Sequence, residues 1–263
     1  VLNGTEGQDV ILGGGGADTI NGLGENDIID GGAGADNIQA GNGDDTINQT
    51  LGEGPDTVNG GAGQDTLNLL GTAAANSLSV AFNGTVLTAA AAGTVTGVEA
   101  IAADLLGGVD TLTYTSSTAV TVNLAAGTAS GFSSIAGIEN VSTGNGADTL
   151  TGNAQANTLS GGGGNDRFVA TVNDGNDTYS GGAGIDTYDR GAVTADGQPL
   201  AAPFVIDAIG DPATLEAGAR FRGGLVSEVE GDRVGGRVTI EQLQVVEITA
   251  TVEVGEPQFA RPR

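Results

Sequence analysis

Aspartate recurs every nine residues at Asp9, Asp18, Asp27, Asp36 and Asp45, and again at Asp56 and Asp65 after two extra residues, Gln49 and Thr50. A second set keeps the same rhythm through Asp148, Asn157 and Asp166, then Asp177 and Asp186 after Ala170 and Thr171. A row of carboxylates at fixed spacing supplies hard anionic oxygens, and calcium takes six to eight such ligands at roughly 2.3 to 2.6 Å. Rival chemistries lack their residues. The chain has no His or Cys, and all eight of its basic residues are Arg. That excludes zinc sites of the usual ligand types, Ser-His-Asp and Cys-His nucleophiles, a phosphate-loop lysine and a Schiff base.

The segments between these aspartates must aim them. Each unit runs Gly-Gly-x-Gly-x-Asp-x-apolar-x, as in GGGGADTIN from Gly13 and GGAGADNIQ from Gly31. Glycine at positions one, two and four opens backbone dihedrals closed to other residues, so the chain turns tightly and points carbonyl oxygens inward. Gly14, Gly16, Gly32, Gly34, Gly61, Gly63, Gly162, Gly164, Gly182 and Gly184 are the candidate main-chain ligands. Positions seven to nine form a very short strand with one apolar side chain inward. Two units complete a coil, so each loop stacks on the loop two units away. Asp9, Asp27, Asp45 and Asp65 then share one edge and Asp18, Asp36 and Asp56 the other; Asp148, Asp166 and Asp186 face Asn157 and Asp177 likewise. Consecutive pairs would enclose about five calcium ions in the first run and about three in the second, about eight in all. Asn157 lacks a carboxylate, so its site should be the weakest or empty. Glu25, Ala40, Leu51 and Val172 replace glycines and predict distorted or longer loops. Gln49 with Thr50, and Ala170 with Thr171, are expected to bulge from loops and leave the strand register intact.

On these units the sequence resembles the RTX, or haemolysin-type, calcium-binding repeat family, whose nonapeptide pattern forms a calcium-binding β-helix. Twelve phased units in two runs carry the resemblance. It implies an all-β fold, a right-handed parallel β-roll or β-helix solenoid with intervening and capping β segments. It also implies a bacterial protein exported unfolded by type I secretion and folded by external calcium, hence an extracellular location. Such proteins usually end in a signal poor in basic residues, and QFARPR departs from that.

The remaining composition agrees with such a module. Glycine contributes 48 of 263 residues and aromatics only nine, so a conventional large core is out of reach. Residues 1–189 hold 22 acidic residues against one arginine, a net of −21 within a total of −25. Such a charge disfavours nucleic acid and anionic membrane surfaces as partners, and no apolar run reaches transmembrane length. The predicted organisation is a first repeat run over 1–68, a solenoid continuation over 69–142, a second run over 143–189 and a β-rich cap over 190–263. Asn83 and Gly84 signal a hairpin after the alternating Leu78, Val80 and Phe82. Asp110 reads as a plain turn. Glu99, Glu139 and Glu247 read as structural strand ends, and Asp30, Asp44, Asp174 and Asp189 as solvated loop charges. The arginines at 220, 222, 233, 237, 261 and 263 read as partners of surface carboxylates. The expected function is non-enzymatic: an extracellular calcium-binding module, or else a subunit of a surface layer, adhesin or filament that self-associates through calcium. A further alternative is the C-terminal part of a secreted enzyme whose catalytic domain lies outside these residues.

Overall fold

A strand of two to seven residues can bury only one to three side chains on its inner face, so stability here depends on repeating that small contribution coil after coil. The computed structural model describes residues 1–91, 93–170 and 175–190, together with the strands Val205–Asp207, Arg220–Arg222, Leu225–Val226, Arg237–Thr239 and Leu243–Gln244. Among these residues there is no helix, and most strands lie in parallel sheets. The fold is an all-β parallel β-roll.

In the first run the strands alternate between two sheets. Leu2–Asn3, Thr19–Gly24, Asn37–Asn42 and Thr57–Ala62 neighbour one another in the first sheet. Val10–Leu12, Ile28–Asp30, Thr46–Thr50 and Thr66–Thr72 do so in the second. Position eight of each unit points between the sheets: Ile11, Ile20, Ile29, Ile38, Ile47, Val58 and Leu67 are all buried. Each stacks on its equivalent one coil away, as Ile20 on Ile38 and Ile29 on Ile47. The result is two apolar columns facing each other across a narrow core.

Gln49 and Thr50 do not bulge. They extend the strand Thr46–Thr50 and pair with Leu69 and Leu70 of Thr66–Thr72, which Ala103 and Asp104 continue in the next coil. Gln49 is buried, and its Nε2 donates to the Gly54 carbonyl at 3.3 Å. A wider coil in one unit is thus matched by wider coils after it, and the register survives because Val58 still pairs with Ile38. In the second run Ala170 likewise ends a strand and pairs with Arg190, while Thr171 lies outside the described residues.

Residues 69–142 continue the solenoid with one interruption. Ser77–Phe82, Leu87–Ala90 and Gly93–Thr96 form an antiparallel meander inside the first sheet, its first turn made at Asn83 and Gly84. Gly93–Thr96 pairs with Thr57–Ala62 behind it, and Ser77–Phe82 pairs with Thr111–Tyr114 ahead. The parallel order then resumes through Asn140–Ser142, Thr158–Ser160 and Thr178–Ser180. The second sheet ends at Ser134–Ala136. A third sheet takes over its role with Thr121–Asn123, Thr149–Thr151, Arg167–Ala170 and Thr187–Arg190. Here aromatic side chains thicken the core: Phe168 stacks on Tyr188 at 5.0 Å and meets Tyr179 edge-on at 5.6 Å. Val205–Asp207 and Arg220–Arg222 extend the first and third sheets. Apart from the strands Leu225–Val226, Arg237–Thr239 and Leu243–Gln244, the rest of the expected cap, including the arginine side chains and Glu247, lies outside the described residues.

Candidate calcium ladders

Position six sits at the corner where the loop enters the strand, so its side chain turns inward beneath the loop and is shielded by the coils on either side. Asp27, Asp36, Asp45, Asp56, Asp65, Asp148, Asp166 and Asp177 are each at most 3% exposed. Asp9, Asp18 and Asp186, in end coils, are half-buried. Each aspartate contacts its neighbours in the same way. The Asp9 backbone N–H donates to Asp27 Oδ1 at 2.8 Å, Asp27 N–H to Asp45 Oδ1 at 2.8 Å, and Asp45 N–H to Asp65 Oδ1 at 2.8 Å. On the other edge Asp18 donates to Asp36 and Asp36 to Asp56, at 2.7 and 2.9 Å. The second run repeats this from Asp148 to Asp166 and from Asp166 to Asp186, at 2.9 and 3.0 Å. The structure therefore brings the aspartates together as continuous ladders, one oxygen of each tied to the coil before it.

The other oxygen is what bears on chemistry. Oδ2 of Asp27, Asp36, Asp45, Asp65, Asp148 and Asp166 is buried without a hydrogen-bond partner. An unpartnered buried carboxylate oxygen is expensive, and a cation removes that penalty. Main-chain oxygens converge on the same place. A Cβ built on Gly22 would overlap both Asp27 Oδ2 and the Ala40 carbonyl, and one on Gly60 would overlap Asp65 Oδ2 and the Gly97 carbonyl. The donor set is carboxylate plus carbonyl, all hard oxygen, and it fits calcium.

Glycine serves two separate purposes here. Positions two and four have positive φ, as at Gly32 (76°) and Gly34 (149°). Position one has ordinary φ but no room for a side chain, because the carboxylate of its own unit lies against it at Gly31, Gly161 and Gly181. Leu23 takes a φ of 87°, as glycines do at position two, whereas Glu25 at 64° departs from position-four glycines such as Gly34 at 149° and Gly43 at 128°; Ala40 and Leu51 pack into the apolar core. Val172 lies outside the described residues.

Burial also raises proton affinity. Burial, opposed by the Asp36 N–H and reinforced by the Asp36 charge, pushes Asp56 up to about 6. Asp166 rises to about 6 for the same chief reason, its ladder neighbours Asp148 and Asp186 adding repulsion. Asp27, Asp45, Asp65 and Asp186 shift upward too, with burial the first cause in each.

Asn157 lies in its ladder, its N–H donating to Asp177 Oδ1 at 2.9 Å, but its amide is fully used. Oδ1 accepts from Asn153 N–H at 2.7 Å, and Nδ2 donates to the Glu139 carbonyl at 2.9 Å. Asp177 Oδ2 accepts from the Tyr179 hydroxyl. Off the ladders, Asp30 accepts from Gly32 N–H and Asp44 from Gln64 N–H, while Asp189 pairs with Arg167. These three shape loops and strands; Asp174 lies outside the described residues.

Position-six spacing alone misses several ladder members. Asp110 is no plain turn: it is fully buried, accepts the Asn76 N–H through Oδ1 at 2.5 Å, and leaves Oδ2 unpartnered. Glu99 and Glu139 end ladders, their Oε2 atoms accepting from Asp65 and Asp110 N–H at 2.9 Å each. A signal existed in Gly71 to Ser79, GTAAANSLS, which matches GNAQANTLS from Gly152 at six of nine positions and places Asn76 where Asn157 stands.

Comparison with known proteins agrees with this geometry. The profile of the RTX calcium-binding nonapeptide repeat matches residues 1–29, 21–48, 50–71, 135–168 and 169–188. A second profile, described as a bacterial protein of unknown function (DUF881), matches residues 183–261. Curated relatives include UPF0749 protein Mb1856 of Mycobacterium bovis and UPF0749 protein Rv1825 of Mycobacterium tuberculosis. Each is 39% identical to this chain over 82 residues, 30% of this chain and 27% of the relative. The chain thus spans about a quarter of the length of the curated relatives it matches. Across residues 1–188 the two repeat runs, with their stacked Gly-Gly-x-Gly-x-Asp loops, are RTX calcium-binding nonapeptide repeats.

Proposed function

We propose that this chain is a non-enzymatic module that stays unfolded while calcium is scarce and is locked into its β-roll by calcium outside the cell, after export by type I secretion. One observation carries the reading: six repeat aspartates, Asp27, Asp36, Asp45, Asp65, Asp148 and Asp166, each bury an oxygen that no protein group satisfies. Ions held by consecutive ladder aspartates and loop carbonyls would neutralise these oxygens. With 22 acidic residues against one arginine in residues 1–189, closing the coils without cations opposes folding, so binding free energy becomes folding free energy. Asn157 and Asp177 satisfy their own oxygens, which lowers the expected count in the repeat runs from about eight ions to about seven. Cytosolic calcium is too dilute to fold the chain early, and external calcium is not.

A second reading, assembly into a surface layer or filament, is favoured by Val10, Leu12 and Ile28, which project outward from the second sheet at 69%, 65% and 46% exposure. The deciding experiment follows circular dichroism and hydrodynamic radius of the whole chain in chelator and then in calcium. Collapse to a monomeric β structure supports the secretion module, and calcium-driven growth beyond monomer size supports assembly. A compact β structure that persists in excess chelator overturns both.

A further inference from the structure

Residues 72–134 lie between the stretches matched as RTX repeats, yet one of their loops copies a repeat loop bond for bond. In the repeat, Asp30 Oδ1 accepts from Gly32 N–H at 3.0 Å; in the intervening segment, Asp104 Oδ1 accepts from Leu106 N–H at 3.0 Å. Gly32 and Gly34 have φ of 76° and 149°, and Leu106 and Gly108 have 64° and 143°. Leucine rarely adopts that conformation, so something other than its intrinsic preference holds Leu106 there. Asp36 Oδ1 accepts from the coil before it, and so does Asp110 Oδ1; the Oδ2 of both is buried and unpartnered.

The coil that follows supplies a second carboxylate. Glu139 Oε2 accepts from Asp110 N–H at 2.9 Å, and Glu139 N–H donates to the Asp110 carbonyl at 3.2 Å. The same pair of distances, 2.9 and 3.2 Å, joins Glu99 to Asp65 at the end of the first run's ladder. Gly137, at φ 63°, packs on the backbone of Leu106 as Gly97, at φ 56°, packs on that of Gly61. On the other side Asn76 offers little, because its Oδ1 already accepts from Thr72 N–H at 2.9 Å.

We infer that loop 104–110, which lies outside the matched nonapeptide repeats, forms a calcium site with Glu139 at the start of the second matched stretch, built from Asp110 Oδ2, the Glu139 carboxylate and carbonyl oxygens of residues 105–108. Leu105 and Leu106 hide it from the repeat pattern by standing where two glycines would. The site joins the two repeat runs, so a calcium-linked coil lies in the middle of the solenoid and not only in its two ends.

This inference rests on the calcium-binding reading of the ladders, and the test separates the two. Calcium bound per chain is counted by native mass spectrometry and equilibrium dialysis for the whole protein and for Asp110→Asn, Glu139→Gln and Asp36→Asn. Asparagine keeps an Oδ1 acceptor for the Asn76 N–H, so the variant retains the bond that ties Asp110 to the coil before it. The expected result is that Asp110→Asn binds one ion fewer than the parent at saturating calcium, and that Glu139→Gln weakens one ion by about tenfold or more. If Asp36→Asn loses an ion while both other variants match the parent, the site at 104–139 does not exist and the repeat ladders stand. If none of the three loses an ion, the ladder reading itself fails.

Discussion

The glycines at positions one, two and four of a repeat look alike in sequence but answer to different constraints. Gly34 combines a φ of 149° with the Gly16 carbonyl lying where its Cβ would go, whereas Gly15, at position three, has open space and ordinary φ. Gly34→Ala should therefore cost more than the 1–2 kcal/mol typical of a left-handed residue, and Gly15→Ala close to nothing. Thermal melts in saturating calcium decide this, and equal shifts would show that loop geometry is not set by these contacts. The aspartates add a dependence on pH. Burial raises the proton affinity of Asp27, Asp45, Asp56, Asp65, Asp166 and Asp186, so their protonation stabilises the fold fully below the ordinary carboxylate value of 3.8, and for Asp56 and Asp166 that contribution is lost as pH rises through about 6. In chelator the chain should gain β structure as pH falls from about 7 to about 4, protons standing in for cations. Calcium affinity should fall over the same interval, because proton and ion compete for one oxygen. Circular dichroism at several pH values with and without chelator checks both trends.

At the scale of elements, the two-residue extension at Gln49 and Thr50 is a paired part of the second sheet, matched by Leu69 and Leu70 and then by Ala103 and Asp104. Deleting Gln49 and Thr50 removes a buried side chain and leaves Leu69 and Leu70 paired on one side only, with Ala103 and Asp104. The variant should melt several degrees lower in calcium, and an unchanged midpoint would mean that the wider coil adds no stability. The contrast between loop and strand explains what could be read in advance. Nine-residue phasing specified the coil, the inward Ile and Leu column, the alternation between edges and the Asn83 and Gly84 hairpin, because each follows from a local period or turn preference. It could not show whether extra residues leave a loop or lengthen a strand, since both keep the phase and only the partner strand decides. Asp110, Glu99 and Glu139 were missed for a related reason: their loops reach the repeat geometry through leucine or a shorter turn, so backbone shape is retained where residue identity is not.

For the whole molecule, the first sheet runs unbroken through both repeat runs while the opposite wall changes from the second sheet to the third. The meander of Ser77–Phe82, Leu87–Ala90 and Gly93–Thr96 sits at that change and alters how far apart in the chain neighbouring coils lie. Within a run, partners are separated by 18 or 20 residues, as Ile20 from Ile38 and Ile47 from Leu67. Across the meander, Thr57 meets Thr94 and Thr66 meets Ala100, separations of 37 and 34. Doubling a closed loop adds about 0.6 kcal/mol of closure entropy, roughly a threefold slower step if nothing else differs. Each run can zip from coil to coil in short steps, whereas joining them waits on several longer closures, as between Ser77 and Thr111 and between Ala102 and Ser134. The meander thus acts as a kinetic divide, splitting a continuous solenoid into two segments that order separately before they are sealed.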